Sequence, residues 1–209
     1  MNVDELDKLI EFIYNKHDII SKDWKKDKRY KPINMKKIQV ADVVLNNELL
    51  DIIYDYRNFI SNYYTDLLND ISLLKLNNQV ELRIKAYSSL QDKINRYYAE
   101  KKHEYGKISI NKCVNDILGI RLIFNEAKNL QEVMNYINKK YNNLKSIDSS
   151  KDGYVATHVY FMKNDNLKFQ WELQLWNKKD VENNKECHEK YKQEYTKFEN
   201  TSEVDDRNV

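Results

Sequence analysis

The sequence has few of the residues that interrupt regular structure: its 209 residues include 3 glycines, 1 proline and 2 cysteines. Because few turns can use a positive φ and a single position is a proline, we expect a chain rich in long helices. Cys113 and Cys187 cannot form a disulfide scaffold, and with four scattered histidines they make no recognisable zinc motif. We interpret both as small buried residues.

Long apolar runs and an excess of one charge are also missing. No window approaches about 18 apolar residues, and the opening MNVDELDKLI carries acids where a signal peptide would carry bases followed by an apolar run. We expect no membrane span, no signal peptide and a cytoplasmic location. The net charge of +2, from 35 Lys+Arg and 33 Asp+Glu, argues against a uniformly basic nucleic-acid coat. Any anionic partner must therefore bind to local clusters of basic residues.

The first third of the chain has helical periodicity. Apolar residues recur every three to four positions over 3–20, which predicts one helix, and over 43–74, which predicts one long helix or two with a short break. Between them, residues 24–31 (WKKDKRYK) form a basic cluster that ends at Pro32 and is expected to be a loop or a frayed helix end. We therefore predict an N-terminal helical region over residues 1–78.

The pattern changes near residue 80, where Val80, Leu82 and Ile84 alternate with charged residues and predict a half-buried strand. Ser88 and Ser89 then offer an N-cap for a helix that ends near Ala99. Similar signals predict a strand at 117–124, a helix at 129–141, strands at 155–162 and 167–176 joined by a hairpin turn at 164–166, and a helix at 179–198. We expect an α+β fold with a mixed β-sheet over 79–198 and a disordered polar tail at 199–209.

Charged residues on the predicted strands are the first candidates for chemistry. Arg83 and Lys85 are two residues apart and share one face, while Lys93 follows on the next helix, one turn after Ser89. Three cations and a hydroxyl around one point suit a polyphosphate. The alternative is a solvated strand face.

Two carboxylates lie within apolar surroundings: Asp116 precedes a predicted strand, and Glu172 stands inside FQWELQLW. Such a group is an orphan, an ion pair or a metal ligand. Two carboxylates on neighbouring strands near a polyphosphate would coordinate Mg²⁺. A buried ion pair is the equally weighted alternative.

Aromatic and basic residues follow on the remaining strands and the last helix. Tyr154 follows Gly153 at a strand start, where its ring would stand at the sheet rim and stack on a nucleobase; ordinary packing is the alternative. His188, Tyr191 and Lys192 share one helical face by their spacing.

In order along the chain, RIKAYSSLQDK at 83–93, DILGIR at 116–121, GYVATH at 153–158, ELQ at 172–174 and HEKYK at 188–192 resemble the synthetase domain of the RelA/SpoT family. The resemblance spans about residues 80–195, more than half of the chain. It implies a nucleotidyltransferase-like synthetase domain, a mixed sheet flanked by helices, that moves the β,γ-diphosphate of ATP to a ribose 3′-hydroxyl of a second nucleotide and releases AMP.

The same resemblance implies roles for individual residues. ATP would be bound by Arg83, Lys85, Ser89, Lys93 and Arg121. Mg²⁺ would be held by Asp116 and Glu172, and Glu172 is also the implied base. The acceptor would contact Tyr154, His158, Gln174, His188 and Lys192.

Two positions depart from the family pattern. Val155 stands where the family usually has Arg or Gln, and Trp176 stands where it usually has Arg. Both changes remove polar or cationic groups near the acceptor and count against free GDP or GTP. The family's hydrolase domain needs a metal-binding His/Asp set that His17 alone cannot supply, so we expect a stand-alone synthetase.

Two acceptors remain open. Small alarmone synthetases use GDP or GTP, whereas a toxic branch of the family modifies the 3′-CCA end of tRNA, blocks aminoacylation and is restrained by an antitoxin protein. Lys25, Lys26, Lys28 and Arg29 in the basic cluster would bind tRNA phosphates and favour the second reading, unless the cluster is a solvated helix end. A non-catalytic nucleotide-binding module is a third hypothesis, but it predicts the loss of Asp116 or Glu172, and both are present.

Overall fold

The computed structural model describes residues 3–26, 33–162 and 165–190. Four helices come first, then five strands interleaved with further helices. The α-helices are α1 Asp4–Lys26, α2 Val40–Leu45, α3 Asn47–Ser61, α4 Tyr64–Leu73, α5 Tyr87–Ala99, α6 Ile110–Cys113, α7 Leu130–Lys140 and α8, residues 181–190. The strands are β1 Gln79–Ile84, β2 Leu118–Phe124, β3 Lys145–Asp148, β4 Thr157–Phe161 and β5 Trp171–Asn177, and 3₁₀ turns span Lys101–Gly106 and Lys178–Asp180.

The five strands form one mixed sheet in the order β1-β2-β5-β4-β3. Strands β2 and β5 are parallel, and the other neighbouring pairs are antiparallel. The predicted α+β fold with a mixed sheet flanked by helices is confirmed. The two strands predicted at 155–162 and 167–176 are neighbours, although β5 begins only at Trp171, and residue 164 of the predicted turn lies outside the described residues.

The two faces of the sheet differ in chemistry because successive side chains point to opposite sides. Leu82, Ile120, Leu173 and Val159 lie side by side across four strands and are buried in the main core. The opposite face, here called the site face, carries Arg83, Glu81 and their neighbours across the sheet. The alternation seen in β1 therefore separates the core from a polar surface.

The N-terminal helices pack on the apolar face. Leu9 and Ile13 of α1 and Ile53 and Tyr56 of α3 belong to the same buried cluster as the strand residues. The indole N–H of Trp171 in β5 donates to the Tyr56 hydroxyl at 2.8 Å. The helices and the sheet thus share one core, and the domain boundary at 78/79 remains a prediction.

Local boundaries differ from the sequence prediction in several places. The stretch 43–74 contains parts of three helices. Asn46 is extended and caps α3 by accepting from the Glu48 N–H, and a second interruption of the helix falls at Asn62 and Tyr63. Strand β3, the 3₁₀ turn Lys101–Gly106 and α6 were not predicted.

The last predicted helix and the tail are described only in part. Residues 191–198 of the helix predicted at 179–198, and the tail at 199–209, lie outside the described residues. In the part of the chain that is described, no helix has the length and apolar character needed to cross a bilayer.

Candidate functional site

One corner of the site face gathers the predicted phosphate ligands. Strands β1 and β2 are antiparallel, so the end of β1 lies beside the start of β2. Lys85 directly follows β1, Asp116 shortly precedes β2, and Lys93 reaches the same point from α5. We call Arg83, Lys85, Lys93 and Asp116 the cationic corner.

Asp116 is the centre of this corner. Its Oδ2 lies 2.7 Å from Lys85 Nζ and 3.5 Å from Arg83 Nη2, and its Oδ1 lies 3.0 Å from Lys93 Nζ. Burial alone would raise the pKa of Asp116, but Lys93, Lys85 and Arg83 hold this pKa well below its usual range. One carboxylate therefore faces three cations, which leaves the corner with an excess of positive charge.

The start of α5 adds backbone donors to the same corner. The N-cap of α5 is Ala86, and the first helical hydrogen bond runs from Leu90 N to Ala86 O. The N–H groups of Tyr87, Ser88 and Ser89 therefore precede the helical ladder and carry the positive end of the helix dipole. The predicted serine N-cap is wrong, since both serines lie inside the first turn, but half-buried Ser89 is placed where a helix N-terminus binds anions.

Glu172, the second predicted carboxylate, is 4% exposed and surrounded by donors. Gln174 Nε2 donates to its Oε1 at 2.7 Å, His158 Nδ1 lies 3.2 Å from its Oε2, and the Tyr160 hydroxyl also hydrogen-bonds to it. Burial alone would raise the pKa of Glu172, but the net direction is downward because of His158, while the charge of Asp116 acts upward. Both carboxylates are thus ionised, and the charge of Asp116 repels that of Glu172.

A row across four strands connects the carboxylate to the cationic corner. Arg83, Gly119, Glu172 and Tyr160 lie directly side by side in the sheet register. A Cβ at Gly119 would come within 2.9 Å of Arg83 Nε and 3.2 Å of Arg83 Cγ. The missing side chain at Gly119 therefore leaves the space that the Arg83 side chain fills.

The other end of the site face is aromatic and consists of Arg121, Tyr154, Trp176 and His188, which we call the aromatic end. The Arg121 guanidinium donates to Glu81 Oε2 at 2.7 Å and to Gln174 Oε1 at 3.1 and 3.2 Å. It also lies on the Trp176 ring, 3.6 Å from the ring centroid. Arg121 thus links Gln174 to the Trp176 ring.

Helix α8 covers Tyr154. Tyr154 is only 8% exposed. Its hydroxyl lies 2.8 Å from His158 Nε2 and accepts from Trp176 Nε1 at 3.3 Å. His188 packs edge-on against Tyr154, with centroids 5.1 Å apart, and nearly parallel to Trp176. Tyr154 is therefore buried under α8 and does not stand at the rim of the sheet, as the sequence had led us to expect. Its stacking on a nucleobase stays a prediction, and it requires α8 to move.

His188 is kept neutral in this packing. Burial, with the charges of Arg83 and Arg121, lowers its pKa to about 4. Helix α8 is anchored by Asn184, whose side-chain amide accepts from Val155 N at 2.8 Å and donates to Val155 O at 2.9 Å. Lys192 lies outside the described residues.

The donor set fits Mg²⁺ only together with phosphate oxygens. Within the described residues, no group of three or more His, Cys, Asp or Glu side chains is arranged to hold a metal. Asp116 in the cationic corner and Glu172 on the same face of the sheet are two ionised carboxylates, which matches the way Mg²⁺ uses one or two carboxylates plus substrate phosphates.

The basic cluster is only partly available to a ligand. Trp24 is 8% exposed and packs against Tyr56 and Phe59, so its ring is not available to stack on a base. Lys25 Nζ lies 2.5 Å from Asp165 Oδ2, and Lys26 Nζ lies 2.8 Å from Asp23 Oδ1. Lys28 and Arg29 lie outside the described residues.

Sequence reasoning missed Tyr160 and the Arg121–Trp176 stack. Tyr160 is two residues after His158 on the same strand, so the period-two rule could have placed it on the site face. The contact between Arg121 and Trp176 depends on β2 and β5 being neighbours, for which the sequence carries no local signal.

No protein-family model matches the sequence, and no curated protein matches it. Among solved structures, the chain is similar to small alarmone synthetase 1 from Bacillus subtilis, with 17% identity over 77% of this chain and 94% of that one and a TM-score of 0.37. It is also similar to small alarmone synthetase 2 from Bacillus subtilis, with 16% identity over 72% and 81% of the two chains and a TM-score of 0.38.

A structure of small alarmone synthetase 1 from Bacillus subtilis bound to AMPCPP matches with 14% identity over 63% of this chain and 71% of that one, at a TM-score of 0.35. Small alarmone synthetases are thus among the solved structures to which the chain is similar. At these identities the similarity concerns the fold.

Proposed function

We propose that the protein is an ATP pyrophosphotransferase that moves the β,γ-diphosphate of ATP to a ribose 3′-hydroxyl. The observation that carries this proposal is the cationic corner, where Arg83, Lys85 and Lys93 converge on the single carboxylate of Asp116 at 2.7 to 3.5 Å. A half-buried site with surplus cations beside a helix N-terminus suits a polyphosphate. In this proposal ATP also contacts Ser89 and Arg121.

In the reaction, the acceptor 3′-oxygen forms a bond to the β-phosphorus of ATP. The bond from this phosphorus to the α,β-bridging oxygen breaks, and AMP leaves with that electron pair. Glu172 accepts the proton of the attacking hydroxyl, for which its ionised state is required. Asp116 and Glu172 are the residues that would hold Mg²⁺, which supplies charge neutralisation on the phosphates when bound.

His158, Gln174 and Tyr160 hold the Glu172 carboxylate in one orientation through their hydrogen bonds. Lys85 and Lys93 are already fixed by Asp116 before a nucleotide arrives. Little reorganisation is then needed when negative charge develops on the transferred group. Catalysis in this proposal is mainly positioning and charge stabilisation.

For the acceptor we propose the 3′ end of tRNA, with inhibition of translation as the consequence and an antitoxin protein as the restraining partner. The aromatic end supports this choice: Trp176 and Tyr154 are neutral, His188 has a pKa of about 4, and Arg121, which pairs with Glu81, is assigned to ATP in this proposal. The 5′-phosphates of GDP or GTP would need cations there, whereas a terminal nucleoside of tRNA carries its charge further away. GDP and GTP remain the alternative acceptors.

The proposal is tested by incubating the protein with γ-³²P-labelled ATP and Mg²⁺ and either bulk tRNA, GDP or GTP. We expect label on the tRNA 3′ end with the wild type and none with Glu172→Gln. Label on GDP or GTP but not on tRNA would overturn the acceptor and leave the transferase intact. If no acceptor receives label in any combination, the transferase itself is wrong.

The basic cluster gives a second test of the acceptor. Lys28→Ala combined with Arg29→Ala should weaken tRNA modification and reduce the salt slope of tRNA binding by about one for each phosphate left without its cation, without changing ATP affinity. The matched control is Lys25→Ala combined with Lys26→Ala. The ammonium groups of Lys25 and Lys26 already pair with Asp165 and Asp23, so their loss should weaken tRNA modification less. Equal tRNA labelling by the first variant and the wild type in moderate salt would contradict this role.

A further inference from the structure

Arg57 on α3 joins the N-terminal helices to the cationic corner. Its Nε donates to the carbonyl oxygen of Lys85 at 3.1 Å, and its guanidinium lies over the ring of Tyr87, with Cζ 4.4 Å from the centroid. These two partners flank Ala86, the N-cap of α5. The Arg57 side chain therefore contacts the chain on both sides of the junction between β1 and α5.

The Arg57 side chain is itself fixed. Its Nη1 lies 3.3 Å from the Ser61 hydroxyl, which donates at 2.9 Å to the carbonyl oxygen of Arg57 one turn earlier. The Tyr87 ring also packs against the Tyr54 ring in a T-shaped arrangement, with centroids 5.3 Å apart, and the Tyr87 hydroxyl hydrogen-bonds to Asn58. Helix α3 thus supplies a preformed bracket for the start of α5.

The junction matters because it carries the phosphate-binding parts. Lys85 provides an ammonium group to the cationic corner, and the first N–H groups of α5 follow at once. The carbonyl of Lys85 precedes the helical ladder, whose first acceptor is Ala86 O, so Arg57 supplies a donor that the helix does not. If the junction turned, the ammonium group and the helix N-terminus would turn with it.

We propose that Arg57 is a positioning residue for the ATP triphosphate: it sets the β1–α5 junction so that Lys85 and the α5 N-terminus face one polyphosphate. This inference rests on the proposed function. It requires the planar fork of arginine, because one group must donate to a carbonyl and lie on a ring at the same time, which a lysine ammonium cannot reproduce.

The test measures binding of a non-hydrolysable ATP analogue with a methylene between the α- and β-phosphates, by calorimetry with Mg²⁺, to the full chain. We expect Arg57→Lys and Arg57→Gln each to weaken binding about tenfold or more, while the KM for the acceptor in the labelling assay changes less than twofold. The matched control is Tyr64→Phe, which removes another side-chain hydrogen bond to β1, from the Tyr64 hydroxyl to Leu82 O at 3.2 Å. It should change analogue binding less than twofold.

Several outcomes would overturn the positioning role. Unchanged analogue binding by both Arg57 variants would do so, as would wild-type binding by Arg57→Lys alone, since charge would then suffice. Equal weakening by Tyr64→Phe would show that any anchor of β1 has the same effect. Failure of the wild type to bind the analogue would instead overturn the proposed function, and thermal unfolding of each variant identifies those that are folded.

Discussion

Substituting alanine for Gly119 should damage the ATP site while leaving the protein stable. Gly119 is the second residue of β2, and its new Cβ would come within 2.9 Å of Arg83 Nε. The clashing atom belongs to a side chain that is 40% exposed, so Arg83 can move into solvent without disturbing the core. The displaced guanidinium would leave Asp116 and the phosphate position.

The two effects differ in size. Gly→Ala at a position without a positive φ stabilises by about 0.4 to 1 kcal/mol through the unfolded chain, which offsets most of the cost of moving Arg83. Losing one hydrogen bond to a charged group costs about 1.5 to 3 kcal/mol, which corresponds to a roughly 10- to 150-fold weaker ATP affinity. The melting temperature should therefore barely change while ATP binding falls.

A double-mutant cycle checks the mechanism. Calorimetry with the ATP analogue and thermal unfolding would be measured for Gly119→Ala, Arg83→Ala and the double variant. If Gly119 acts through Arg83, the double variant should bind no worse than Arg83→Ala alone. The reasoning is refuted if folded Gly119→Ala binds the analogue within twofold of the wild type, or if the two losses simply add.

Three further predictions concern charges and rings on the site face. Asp116→Asn should cost about 3 to 5 kcal/mol of unfolding free energy, because half-buried Lys85 and Lys93 lose the buried carboxylate that balances their charge. In the wild type this stabilisation should be present above the unfolded carboxyl pKa of about 4 and be lost only as the pH falls below it, as denaturant titrations at several pH values would record. The pKa of His188 is about 4 in the fold and about 6.5 when unfolded, so protonation should weaken the packing of α8 as the pH falls through this window. The rate of amide exchange at Val155, whose N–H donates to Asn184 of α8, should then rise, and His188→Phe should abolish this pH dependence. Tyr154→Ala should raise the acceptor KM more than the ATP KM, since a lost stacking platform costs roughly 1 to 3 kcal/mol per base, and a higher ATP KM alone would place the ring at the donor site instead.

Local spacing in the sequence was sufficient for much of the cationic corner. The alternation in β1 placed Arg83 on the site face, and the four-residue offset from Ser89 to Lys93 placed both on one face of α5, because side-chain direction follows the period of the strand or helix. The two apolar strands, one preceded by Asp116 and the other containing Glu172, were also recognisable. These features depend on residues a few positions apart.

Tertiary structure decided what each group contacts. Glu172 lies beside Gly119 only because β5 inserts between β2 and β4, and Asp116 holds both lysines only because α5 folds back over the end of β1. Tyr154 is buried rather than at the rim because α8 returns to cover it, although nothing near Tyr154 in sequence indicates this. Strand order and helix docking come from burying apolar surface between segments far apart in the chain, so residue spacing alone could not specify these contacts.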